Sequence, residues 1–174
     1  MEQIIHSLLL AMHNIALVGC AAAPFYNRNL VNTRAQYGPR LFYELDKVVE
    51  ETLQGNAPYC IAFITALWVT GVAMPLNYFA FHGQLRALHP VAVVALVTKL
   101  ALIVGMMVIM ARIFWGLNPR LKALFAQFSP TSDPSPELVK EFFAKRARRK
   151  ALCEICLYFA IGVLLSSAFL GFGR

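Results

Sequence analysis

Four stretches of this chain are apolar for long enough to cross a lipid bilayer, and that requirement leaves few folds open to it. They run Ile4 to Phe25, Pro58 to Phe81, Pro90 to Phe114 and Ala151 to Phe172. A hydrocarbon core of about 30 Å takes roughly 20 helical residues. Inside it every backbone N–H and C=O must find its partner within the segment, which a helix achieves and an irregular chain does not. The chain is 59% hydrophobic and only 14% charged, against about one quarter charged in soluble domains. The expected fold is an all-α integral membrane protein: one membrane domain over residues 1–174, with four transmembrane helices in a bundle. The first span is expected to be retained, because Met1, Glu2 and Gln3 provide no basic segment ahead of it and it exceeds a signal h-region of about 7–15 residues.

Orientation follows from the lysines and arginines, which stay cytoplasmic in short loops. Residues 26–56 hold Arg28, Arg34, Arg40 and Lys47; residues 115–150 hold Arg120, Lys122, Lys140, Lys145, Arg146, Arg148, Arg149 and Lys150; the turn between spans two and three holds only Arg86. Both termini are therefore expected on the outer face. The net charge of +7 reads as topology and attraction to anionic lipid, with no nucleic-acid role, because the basic residues flank apolar spans.

The first cytoplasmic segment carries Leu41, Phe42, Leu45, Val48, Val49 and Leu53 at helical spacing, with Glu44, Asp46, Lys47, Glu50 and Glu51 opposite. That pattern predicts an amphipathic helix at the interface, stopped by Gly55. In the second segment, Ser129 to Pro136 reads as an irregular loop. Ser135, Pro136 and Glu137 then start a capped helix running through the basic residues into span four, which places those residues at the headgroups.

Chemistry must come from the few titratable groups in or beside the spans, since each is costly there and marks a functional site by default. His13 lies nine residues past Ile4 and Lys99 nine residues past Pro90, so both sit about 13–14 Å below the outer edge and are expected to face one another or a common ligand. His6, His82 and His89 lie at the outer edge, where a haem axial pair from facing helices is geometrically allowed. The competing reading makes His6, His82 and His89 ordinary interfacial residues and His13, beside Asn14, a helix-to-helix hydrogen-bonding group. Cys153 and Cys156 form a C-x-x-C without a second cysteine pair in sequence, and Cys20 and Cys60 read as small core residues. Met106, Met107 and Met110 read as packing before they read as a copper path. Glu154 is expected to pair with nearby arginines. No phosphate loop, nucleophile elbow or zinc-helix motif is present.

Leu10-Ala11-Met12-His13-Asn14-Ile15, Pro58 with Thr70-Gly71, and Lys99-Leu100 together resemble the HemJ-type protoporphyrinogen oxidases and the related CopD-like four-helix membrane proteins. The resemblance implies a bacterial inner-membrane protein. It also implies haem b held through His13 as metal ligand, Lys99 as the catalytic residue and a porphyrinogen substrate. The edge geometry keeps His6, His82 and His89 as further cofactor-binding candidates, and a porphyrin or quinone-like small molecule is an expected partner. The chain has Val97 where the family has a histidine two residues before the lysine. Two functions are expected from different classes. One is a haem b-binding oxidoreductase in electron transfer or porphyrinogen oxidation. The other is an accessory or assembly subunit of a larger respiratory or photosynthetic membrane complex, packing against other subunits or its own copies through Gly19, Ala21, Ala22, Ala23, Gly71 and Gly105.

Overall fold

The structure is a computed structural model that describes residues 1–85, 87–129 and 134–170. Arg86, the loop expected over residues 130–133 and the end of span four at Phe172 lie outside the described residues. The described residues form six α-helices: α1 (Glu2–Ala35), α2 (Tyr43–Gly55), α3 (Ala57–His82), α4 (Pro90–Ala111), α5 (Asn118–Phe125) and α6 (Pro136–Phe169). Four helical stretches are long and apolar enough to cross a membrane, as expected from the sequence. Only 17% to 22% of the residues in their apolar windows are buried, so each span keeps one narrow stripe for its neighbours and turns the rest outward, as lipid permits.

The stripes follow the helical repeat. On α1 they are His13, Ala16, Cys20 and Pro24; on α4, Ala92, Ala95, Lys99, Ile103 and Met106; on α6, Phe142, Arg146, Arg149, Cys156, Ala160 and Val163. Steps of three and four keep each set on one face. α1 packs on α3 and α6, and α6 packs on α4, while α3 and α4 approach less closely. The apolar centre joins Ala16, Ile64, Leu67, Ile103, Met106, Ala160 and Val163. Close approach depends on glycine: a Cβ on Gly19 would lie 2.5 Å from the Phe63 ring, and one on Gly105 would lie 2.6 Å from Phe159.

Local chemistry sets the ends. Gly83 terminates α3 in the left-handed conformation (φ 68°), which costs glycine little. Ser135 caps α6, its hydroxyl accepting the Leu138 N–H at 3.3 Å, and the helix runs unbroken into the fourth span as the sequence predicts. Between α4 and α5, residues Arg112–Leu117 widen into a π-turn. Pro119 follows directly, and its ring and missing N–H disturb a regular i to i−4 ladder; one wider turn accommodates it without breaking the rod.

The structure differs from the sequence reading at α2. Its buried face is Asp46, Val49, Glu50 and Leu53, whereas Val48 is 58% exposed. Two acids expected on the outer side are therefore turned inward, and α2 packs on protein by an ionic face. The partners are also a surprise: Arg146 and Arg149, expected among the headgroups, are each 3% exposed. Asp46 accepts from Arg34 Nε at 2.6 Å and Nη2 at 2.7 Å, from the Phe42 N–H at 3.0 Å, and from Arg146 Nη1. Glu50 takes Arg149 bidentately at 2.7 and 2.8 Å, and Asn118 receives Arg149 at 3.3 Å. Glu154 pairs with Arg28 at 3.5 Å. A second apolar cluster, Leu121, Leu124, Phe128 and Phe142, shields this end.

Burial by itself raises the Asp46 carboxyl, but hydrogen bonds from Arg34, Arg146 and the Phe42 N–H outweigh it and hold the group below the usual carboxylate range. A carboxylate depressed in the folded state contributes stability that is complete above the unfolded value of about 3.9 and disappears as pH falls through the lower folded value. We expect Asp46→Ala to cost about 3–5 kcal/mol, because it strands two buried guanidinium groups. A thermal melt of the detergent-solubilised chain should show that loss at neutral pH, and the gap between wild type and variant should shrink only below about pH 4.

Candidate functional site

His13 and Lys99 meet in the core of the bundle. The Lys99 Nζ lies 3.4 Å from His13 Nε2, with the two residues 8% and 7% exposed. Depth matching in the sequence thus finds a real contact between α1 and α4. The third member is Thr70 on α3, whose Oγ1 lies 2.8 Å from His13 Nδ1.

The geometry fixes who donates. Thr70 Oγ1 lies 2.5 Å from the Ala66 carbonyl oxygen. A carbonyl has no proton, so the hydroxyl hydrogen points there. Thr70 can then only accept from His13, which places the imidazole proton on Nδ1 and leaves the Nε2 lone pair to accept from Lys99. The result is one directed chain, from Lys99 through His13 and Thr70 to the backbone of α3. Gly71 borders the ring, and a Cβ there would stand at ordinary contact distance, 3.6 Å from His13 Cε1. Thr70 is part of the sequence motif, but its role as the partner of His13 becomes visible only with α1 docked on α3.

The other histidines do not join this pair. His82 stacks on Tyr78 and lies 3.1 Å from a Glu2 carboxylate oxygen, tying the start of α1 to the end of α3. His89 caps α4, its Nδ1 accepting the Val91 N–H at 3.3 Å. His6 is exposed on α1.

A haem iron requires a ring nitrogen with its lone pair free. His13 in this arrangement carries its proton on Nδ1 toward Thr70 and keeps its lone pair on Nε2. Nε2 is the nitrogen that would hold an iron, and Lys99 Nζ covers it here at 3.4 Å.

Cys20, expected as a small core residue, is buried in the apolar centre. It lines one cavity of about 50 Å³ together with Cys60, Cys153, Cys156, Met106 and Met110. Among the described residues, however, no three His, Cys, Asp or Glu side chains are close enough together to hold a metal ion. All four cysteines are free thiols.

The architecture is that of a multi-pass, all-helical membrane protein with a polar pair in its core. Comparisons with protein-family models, curated proteins and solved structures each found no match for the chain.

The tautomer is directly testable. Ring-nitrogen NMR of His13 should report a proton on Nδ1, and a proton on Nε2 would contradict the chain. Thr70→Val leaves that N–H without an acceptor in the core and should cost about 1–3 kcal/mol in thermal unfolding.

Proposed function

We propose that this protein is a membrane-embedded proton-exchange component acting on a lipophilic redox ligand of the porphyrin or quinone class, with His13 and Lys99 sharing one proton. One observation carries the reading: the buried Lys99 amine rests on a histidine nitrogen, 3.4 Å away, and among the described residues no carboxylate pairs with it.

A neutral pair bears no charge, and one added proton is held by two bases instead of one. A second proton would put two positive charges 3.4 Å apart, a repulsion of about 5 kcal/mol at an effective dielectric of 20. The site is therefore a one-proton device, alternating between neutral and singly positive. In its positive state it attracts an anionic oxygen, such as a porphyrin carboxylate or the oxygen of a reduced quinone, and can give that oxygen its proton. Lys99 makes the contact with the ligand, and His13, oriented by Thr70, buffers the charge.

A lipid-side groove supports access. It measures about 540 Å³, lies between α4 and α6, and is lined by Val94, Ala95, Thr98 and Leu165 among others. Ala95 is one turn from Lys99 on the same buried face of α4. The basic end faces inward by the positive-inside rule, which sets the pair in the outer half of the bilayer with both termini outside. The resemblance at Lys99-Leu100 and His13-Asn14 points to the bacterial cytoplasmic membrane.

The test uses protoporphyrin IX, its dimethyl ester and a short-chain quinone as probes of the purified protein, read by quenching of Trp68 and Trp115. Saturable binding of one probe is expected, accompanied by a proton change in weakly buffered medium. Lys99→Met should weaken binding about tenfold, the worth of one charge-assisted hydrogen bond, and abolish the proton change. No saturable binding of any probe, or binding indifferent to Lys99→Met and His13→Gln, would overturn the proposal.

The accessory-subunit reading is favoured by the looser side of the bundle, where Trp68 Nε1 donates to Met107 Sδ at 3.1 Å across α3 and α4 while both side chains stay partly exposed. Extraction in mild detergent should then give a particle larger than one chain with other subunits in it. Migration as an isolated chain removes that reading.

A further inference from the structure

The basic end holds a second site that the His13–Lys99 reading does not use and that stands independently of it. A cavity of about 350 Å³ opens between the end of α1, the turn at Gly38 and α6. Three cations contribute to its wall, Arg34, Arg146 and Lys150, and no carboxylate does. Val31 and Phe143 supply apolar surface beside them.

The ionic network leaves this wall electropositive. Asp46 and Glu50 sit behind it and are engaged by Arg34, Arg146 and Arg149. Three arginines thus share two inner carboxylates, and Lys150 stands beside them with Glu154 as its nearest carboxylate, at 4.0 Å and itself paired with Arg28. Arg34 spends four of its five N–H donors. Its Nη1 bonds the Gly38 carbonyl at 3.0 Å, its Nη2 the Arg40 carbonyl and Asp46 each at 2.7 Å, and its Nε Asp46 at 2.6 Å. These bonds also turn the carbonyls of the 38–40 turn toward Arg34 and away from any other cation.

Arg146 is the exception. It is 3% exposed, yet neither its Nε nor its Nη2 has a hydrogen-bond acceptor among the described residues. Nε lies 3.2 Å from Glu50 Oε1, within ion-pair range but not aligned to donate. A buried guanidinium with donors unspent is unusual, because buried polar groups ordinarily find partners, and the planar fork of arginine matches phosphate oxygens better than any other side chain does.

We propose that this cavity binds a phosphate group, with Lys150 as the donor and the buried guanidinium groups of Arg146 and Arg34 as the fixed charges behind it. The same chemistry is offered by the headgroup of an anionic phospholipid and by free phosphate. Position favours the headgroup: the site lies at the ends of the spans, on the side that the positive-inside rule assigns to the anionic leaflet. The apolar wall beside it suits the glycerol and acyl ester carried by such a phosphate.

The test takes the full chain in mild detergent and measures retention of added phosphatidylglycerol and phosphatidylcholine by native mass spectrometry, with the unfolding midpoint followed in parallel, also in inorganic phosphate. Phosphatidylglycerol should be retained over phosphatidylcholine and should raise the midpoint. Lys150→Gln, half-buried and outside the Asp46–Glu50 network, should weaken retention about tenfold. Arg146→Gln should do the same where it folds, and Arg148→Gln, exposed on the same helix, should not. A midpoint raised equally by inorganic phosphate, with the same variant pattern, assigns the site to free phosphate. Equal retention of both lipids with no phosphate effect overturns the proposal. So does a preference for phosphatidylglycerol that Lys150→Gln leaves intact or that Arg148→Gln weakens as much.

Discussion

Asp46 is the point through which three distant parts of the chain become one structure. Its carboxylate receives Arg34 from the end of α1, Arg146 from α6 and the backbone of its own helix start. Two of those partners are 12 and 100 residues away in sequence. Lipid-facing helices have little hydrophobic reason to associate, because a neighbouring helix is no more apolar than an acyl chain. What selects one arrangement of the spans is then close packing at glycines together with polar groups that find partners only in that arrangement. At the basic end the buried arginines and acids do this, and toward the opposite end Thr70, His13 and Lys99 do.

The two polar clusters are built on opposite principles. Around Asp46 and Glu50, opposite charges are brought together with bidentate geometry, and removing one leaves others stranded. At His13 and Lys99 two bases face each other, with no carboxylate paired to either among the described residues. The first arrangement is static by construction. The second has a spare site for a proton, and for that reason chemistry is assigned to it.

Much of this was legible in the sequence, and the reason is physical. Membrane spans announce themselves because the bilayer imposes length and apolarity on consecutive residues. The same argument turns a position along a helix into a depth, so His13 and Lys99 could be paired from residue counts alone. The face of α2 was not legible, because burying Asp46 and Glu50 makes sense only once Arg146 and Arg149 are opposite them, and those lie about a hundred residues on. A trace of the answer was present: Phe142, Arg146, Arg149, Cys153, Cys156, Ala160 and Val163 follow steps of three and four, so the core stripe of α6 passes straight through the basic run. The convergence of four cysteines on one cavity left no comparable sign, since two of them are single residues on different helices.

The π-turn at Arg112–Leu117 has a consequence for how this sequence tolerates length changes. A π-turn is, in effect, one residue inserted into an α-helix, and each residue carries about 100° of rotation. The faces of α4 and α5 are set out of phase by that single insertion: Ile103 and Met106 look into the centre of the spans, and Asn118, Leu121 and Leu124 look toward Arg149 and the second apolar cluster. Deleting one residue here would restore a more regular helix and at the same time swing Asn118 and Leu121 away from their partners. The stretch therefore works as a phase adjuster: its length in residues sets the register between the two clusters, while Ile113 and Leu117 fill the packing between them.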